Sequence, residues 1–244
     1  MQRSVSTLSK VLIGSVPIIA VLVAAAFFTP TELSLLERQI LLGMIAVGGI
    51  AFVERLLFGP DLPRVISAMG LTIPQRNASV VALLCSLPMW LFLPAYSLAT
   101  SASIAVNNGW FAVLAGIILV NGIAEEVIHR AFVFGHLRRI HSFAAAATIG
   151  AIIFGLQHSY LLATIGPIAG TASVVLAILL VWPLAFLFER GGNSILPPAI
   201  MHTSSNAPIM IFVAPETAHL VILPHMAVVL SSMYLSFALF PRTR

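Results

Sequence analysis

Asn121-Gly122-Ile123-Ala124-Glu125-Glu126-Val127-Ile128-His129-Arg130 ends a long uncharged run, for no charged residue lies between Arg76 and Glu125. Two adjacent carboxylates, an imidazole and a guanidinium then arrive together. At helical spacing Glu126 and Arg130 stand at i and i+4, as do Glu125 and His129, so each pair shares a face. Ionisable side chains inside apolar segments are costly, and they persist where they pair or face a polar interior. The stretch therefore calls for a bundle of apolar helices packed around a polar site.

The rest of the chain supplies that bundle. Of 244 residues, 59% are hydrophobic and 8% charged, against about a quarter charged in soluble domains. The expected fold is all-α, a polytopic membrane helix bundle of about eight transmembrane helices, each long enough to cross the hydrocarbon core. The predicted spans are Val11 to Phe28, Gln39 to Val53, Ser79 to Leu98, and Trp110 to about Phe134. Phe143 to Leu162, Ala172 to Phe188, Ile195 to Val213 and Leu220 to Phe240 complete the set. The basic start and first apolar run could be a signal peptide, but its length and the spans that follow favour an uncleaved first helix. Within the polar loop Gly59 to Arg76, the apolar middle Val65 to Leu71 suits a short interfacial helix. One membrane domain covers 1–244, with the motifs in 110–213, N-terminal spans in 1–109 and a last span in 214–244.

The net charge of +4 does not indicate nucleic acid, because the basic residues are scattered among loops. They read as topology signals. With the N-terminus inside, Arg3, Lys10, Arg55, Arg64, Arg76, Arg138, Arg139, Arg190, Arg242 and Arg244 all fall on the inner side, and Arg38 alone falls outside. Cys85, the single cysteine, excludes an internal disulfide and any multi-cysteine metal site, and suits a small buried hydrophobe.

Two further apolar spans carry polar residues. One holds Phe154-Gly155-Leu156-Gln157-His158, and the other His202-Thr203-Ser204-Ser205-Asn206, with His202 and Asn206 at i and i+4 on one face. Glu125 and His158 flank the loop residue His141 at nearly equal sequence distance, so both fall about 25 Å from it if the arms are helical. His202 and Asn206 reach a similar depth. Polar groups from three helices at one level describe a buried site in a bundle.

Glu125-Glu126-x-x-x-Arg130, Phe154-x-x-x-His158 and His202-x-x-x-Asn206 together resemble the three ordered motifs of the CAAX-protease and bacteriocin-processing (CPBP, or ABI) family of intramembrane glutamate proteases, which includes the type II CAAX prenyl endopeptidases. The resemblance covers about Trp110 to Val213. His129 stands where the family usually has an aromatic residue, and Ala131 where it usually has Gly. The resemblance implies that Glu125 and His158 activate a water, that His202 and Asn206 donate to the oxyanion, and that Glu126 and Arg130 form a structural ion pair. It implies a membrane-associated peptide or lipidated protein as substrate, no cofactor, no metal, and a site opening to the inner face, although the depth count sets that site past the midplane. The charge tally places both termini in the cytoplasm, and the expected location is the cell membrane of a prokaryote. A zinc peptidase built on Glu125, His129, His158 and His202, and a non-catalytic immunity or transport protein, are the alternatives. Asn121, Gln157 and His129 read as polar bridges between helices. His136, His141, His219 and His225 read as loop or span-end residues without a special role.

Overall fold

The computed structural model describes residues 6–28, 32–59, 61–213 and 218–240. Among them run α1 (Thr7–Phe27), α2 (Leu35–Phe58), α3 (Leu62–Ala68), α4 (Arg76–Thr100) and α5 (Trp110–Arg138). Then come α6 (Phe143–His158), a short turn at Leu161–Thr164, α7 (Pro167–Arg190), α8 (Leu196–Ile211) and α9 (Ala218–Leu239). Arg3, Arg242 and Arg244 of the charge pattern lie outside the described residues, as does the side chain of His219.

Local chemistry sets several boundaries more widely than apolar content alone. The second span begins at Leu35 because Ser34 and Glu37 form a reciprocal capping box, with the Ser34 N–H donating to the Glu37 carboxylate at 2.8 Å. Such a box satisfies two orphan donors of the first turn. The interfacial helix starts at Leu62, one residue after the N-cap Asp61.

Seven of the described helices are long and apolar enough to span a hydrocarbon core, where the sequence reading had eight. The exception is α8, whose 16 residues reach about 24 Å, short of a typical core of about 30 Å. Pro197 and Pro198 open it, and its chain turns extended at Phe212. It nevertheless joins both ends of the bundle. At one end Ile195 N–H donates to Gly70 O at 3.0 Å, and Gln75 N–H to Gly191 O at 3.1 Å. At the other, β2 (Phe212–Val213) pairs antiparallel with β1 (Ala105–Val106), which lies between α4 and α5. A short helix can make this passage because its neighbours shield it, and most of its residues are buried.

Long-range contacts fix the threading of the remainder. Lys10 Nζ donates to Leu57 O at 2.8 Å, and Arg138 Nε to Glu189 Oε1 at 2.8 Å. The start of α1 and the ends of α2, α5 and α7 thus gather at one end, with most of the arginines. Arg38, in the first turn of α2, sits at the other. Two apolar clusters build the interior: one joins α1, α2, α5 and α6, and the second joins α4, α7, α8 and α9. Large apolar side chains such as Leu98, Ile168 and Leu223 face outward, as lipid-facing positions do. His136 and His225, expected at loops or span ends, are both buried. His136 bonds Glu54, and His225 bonds the Ser205 carbonyl.

Candidate active site

The motif stretch is not a regular α-helix. π-Helical turns cover Ile118–Ala124 and Val127–Phe134, flanking the two glutamates. The Glu125 N–H accordingly donates to Val120 O, five residues back, and the Gly135 N–H to Arg130 O. Such wide turns re-aim side chains and are frequent at functional sites. Glu125 and His129 still face one helix, as their spacing predicts: both reach Gln157 of α6, His129 Nε2 meeting its Oε1 at 2.7 Å.

Glu126 is wholly buried and serves two partners. Its Oε1 lies 3.1 Å from Arg130 Nη1 and accepts from His202 Nδ1 at 2.7 Å. The i,i+4 ion pair forms as the spacing predicts, but Glu126 also orients the imidazole of α8. A carboxylate can only accept, so Nδ1 carries the hydrogen and the ring is held in place; an Nε2–H donor is present in the doubly protonated ring. That Nε2 lies 3.8 Å from Glu125 Oε2.

Glu125 has two unlike oxygens. Oε1 accepts from Asn121 Nδ2 at 3.3 Å and from Gln157 Nε2 at 3.5 Å. Oε2 is buried and has no hydrogen-bond partner among the described residues. With its carbonyl oxygen on His129 and its amide nitrogen on Glu125, Gln157 bridges the two side chains. The carboxylate is thus anchored by one oxygen and leaves the other free to accept a proton.

His158 closes α6, and its Nδ1 stands 2.9 Å from Phe154 O. A carbonyl can only accept, so Nδ1 carries the hydrogen and a neutral ring offers a bare Nε2. Asn206, half-buried on α8, makes no side-chain hydrogen bond among the described residues, so its amide is free to donate. The structure brings Glu125, Glu126, Arg130 and His202 into one network, with His158 beside it. Asn206 lies one helical turn along α8 from His202.

Phe154 is the hub that sequence reasoning quoted without a role. The Arg130 guanidinium lies 4.8 Å from its ring centre, and the rings of His129, His158 and His202 stand at 4.6, 4.3 and 6.0 Å. An aromatic face beneath a guanidinium adds cation–π attraction in a dry setting. Trp90 Nε1 of α4 donates to Ser204 Oγ at 3.0 Å, tying α8 from its other side.

A cavity of about 290 Å³ adjoins Glu125, lined also by Asn121, Gln157, Tyr160, Arg38 and Gln39. It runs toward the end of the bundle that carries Arg38. The resemblance had implied an opening at the opposite, arginine-rich end; the depth count had pointed this way. Arg38 had been read only as the exception to the charge pattern, and Tyr160 not at all, because nothing in the linear sequence links them to Glu125. No group of three or more His, Cys, Asp or Glu side chains among the described residues is arranged to hold a metal ion.

The chain has no match among curated proteins. Residues 107–208 match the family model described as Rce1-like, type II CAAX prenyl endopeptidase Rce1-like. That segment runs from just before α5 to the last turns of α8, and holds all three motifs.

Proposed function

We propose, from the chain's membership of the Rce1-like type II CAAX prenyl endopeptidase family through residues 107–208, that it hydrolyses a peptide bond of a membrane-associated peptide or lipidated protein, with Glu125 as general base. Water is the nucleophile. Glu125 Oε2 takes a proton from it while His158 Nε2 accepts its second O–H, which holds the water between the two groups. A carboxylate and an imidazole in hydrogen-bond reach of one water are suited to general base catalysis. The water oxygen bonds to the scissile carbonyl carbon, and the carbonyl oxygen gains negative charge. His202 Nε2–H and the Asn206 amide donate to that oxygen as the charge forms, where preorganised donors in a dry site are worth most. The proton held by Glu125 then passes to the leaving nitrogen as the C–N bond breaks, and the new carboxyl group ionises.

Glu126 and Arg130 act through His202 rather than on substrate. The bond at 2.7 Å from His202 Nδ1 to Glu126 holds the ring with its other nitrogen toward Glu125. The observation that carries the reading is the asymmetry of Glu125, one oxygen anchored by two amides and one unpartnered beside a cavity. Its setting is an integral, multi-pass membrane protein, and the positive-inside pattern gives both termini a cytoplasmic position.

A mass-spectrometric comparison of membrane peptides from cells carrying the wild type or Glu125→Gln tests the proposal and names the substrate. Uncleaved precursors accumulating in the variant are expected. Identical peptide profiles, with both proteins present at equal levels, would refute it.

A further inference from the structure

A second cavity, of about 630 Å³, lies toward the arginine-rich end of the bundle, well away from Glu125. His136 in its wall is ten residues beyond Glu126, or about 15 Å further along α5. It is walled by the ends of α2, α5 and α7, by α3, and by the loop before α8.

Its charges do not cancel. Glu54 is hydrogen-bonded to His136 at 2.7 Å, and Glu189 is paired with Arg138 at 2.8 Å. Arg64 and Arg139 remain. Arg64 meets only Asp61, at 3.9 Å with both side chains largely in solvent, a contact of little energetic value. Arg139 makes no ion pair among the described residues. The loop that closes this wall is fixed, because the carbonyl of Thr72 accepts from Ser194 Oγ at 2.7 Å.

Two guanidinium groups lining one pocket match the chemistry of a phosphate, whose oxygens take charge-assisted bonds from arginine. The surroundings suit a lipid rather than a free ion. Leu62, Ile66, Leu71 and Ile73, on or just after α3, are exposed and apolar, as residues against acyl chains would be. A basic pocket between helices at the cytoplasmic interface is the setting in which anionic headgroups bind. The volume also exceeds what a bare phosphate needs.

We propose that this cavity binds the headgroup phosphate of an anionic phospholipid, held by Arg64 and Arg139. The site is independent of the proteolytic reading, since it shares no residue with the network around Glu125.

The test uses the full chain purified in detergent and titrated separately with phosphatidylglycerol, phosphatidylcholine and inorganic phosphate. Native mass spectrometry reads retained lipid, and thermal unfolding reads stabilisation. Phosphatidylglycerol should be retained in preference to phosphatidylcholine and should raise the melting temperature. Combined R64Q and R139Q should weaken retention about tenfold or more, as expected for losing charge-assisted bonds. Arg76→Gln, an exposed arginine outside the cavity, should leave it unchanged. Equal retention of the two lipids by the wild type, or equal loss in R76Q, would overturn the proposal. So would stabilisation by inorganic phosphate with none from phosphatidylglycerol, which would make the ligand a free ion.

Discussion

His202 Nδ1 is bonded to Glu126 at 2.7 Å, whereas its Nε2 stands 3.8 Å from Glu125. The two neighbouring glutamates therefore address opposite sides of one imidazole. Glu126 holds the ring, and Glu125 shares with it the space in which a peptide bond would lie. This division explains why the adjacent acids of the motif have different surroundings: the first borders a cavity, and the second is sealed against Arg130.

Replacing Glu126 by Gln should be worse for stability than for local geometry alone. It leaves Arg130 buried without its counter-charge, and breaking one side of a buried ion pair costs about 3–5 kcal/mol. A lowered melting temperature is expected for Glu126→Gln, with part of the loss recovered in Glu126→Gln/Arg130→Met. Circular dichroism melts of the three proteins in the same detergent check this.

Gln157 holds both His129 and Glu125. Gln157→Leu keeps the bulk but leaves both without that partner, and an unsatisfied buried polar group costs about 1–3 kcal/mol. Cleavage should fall by about tenfold or more, with a smaller effect on substrate binding. Steady-state kinetics on a peptide identified by the accumulation experiment would show whether kcat carries the loss.

Gly122 lies where α5 approaches α8. A Cβ there would stand 2.5 Å from Thr203 Oγ1, one residue from His202. Gly122→Ala should push the helices apart at a cost of about 1–3 kcal/mol, typical of overpacking, and should reduce cleavage by shifting His202. Thr203→Ala removes the clashing hydroxyl, so the double variant should regain both stability and activity. Melting temperature and turnover of the four proteins in this cycle measure it.

Much of this site is legible in the linear sequence, because i,i+4 spacing in apolar spans marks faces directly. Glu126–Arg130 follows from that rule. Glu125 and His129 are consistent with it, for both reach Gln157 of α6, but the π-helical turns flanking the glutamates were not legible, since no composition signal announces them. The reach of α8 was equally hidden. Its 16 residues look like a full span when Phe212 and Val213 are counted as helical, yet they pair with β1 instead. His136 escaped notice because its partner Glu54 is distant in sequence, and only the threading brings α2 and α5 together at that end.

Chelators should leave proteolysis intact. Among the described residues no three His, Cys, Asp or Glu side chains converge on a point that a metal ion could occupy. Activity that disappears with a chelator and returns with zinc would move the chemistry to a metal-bound water.

The central claim is that Glu125 activates water and does not merely hold the bundle together. The direct measurement is cleavage and binding of one substrate peptide by purified wild type and Glu125→Gln, with melting temperatures taken in parallel. The account predicts a loss of cleavage of about 10²–10⁴-fold, the usual contribution of a general base, with binding and melting temperature nearly unchanged. Cleavage by Glu125→Gln at the wild-type rate would contradict it.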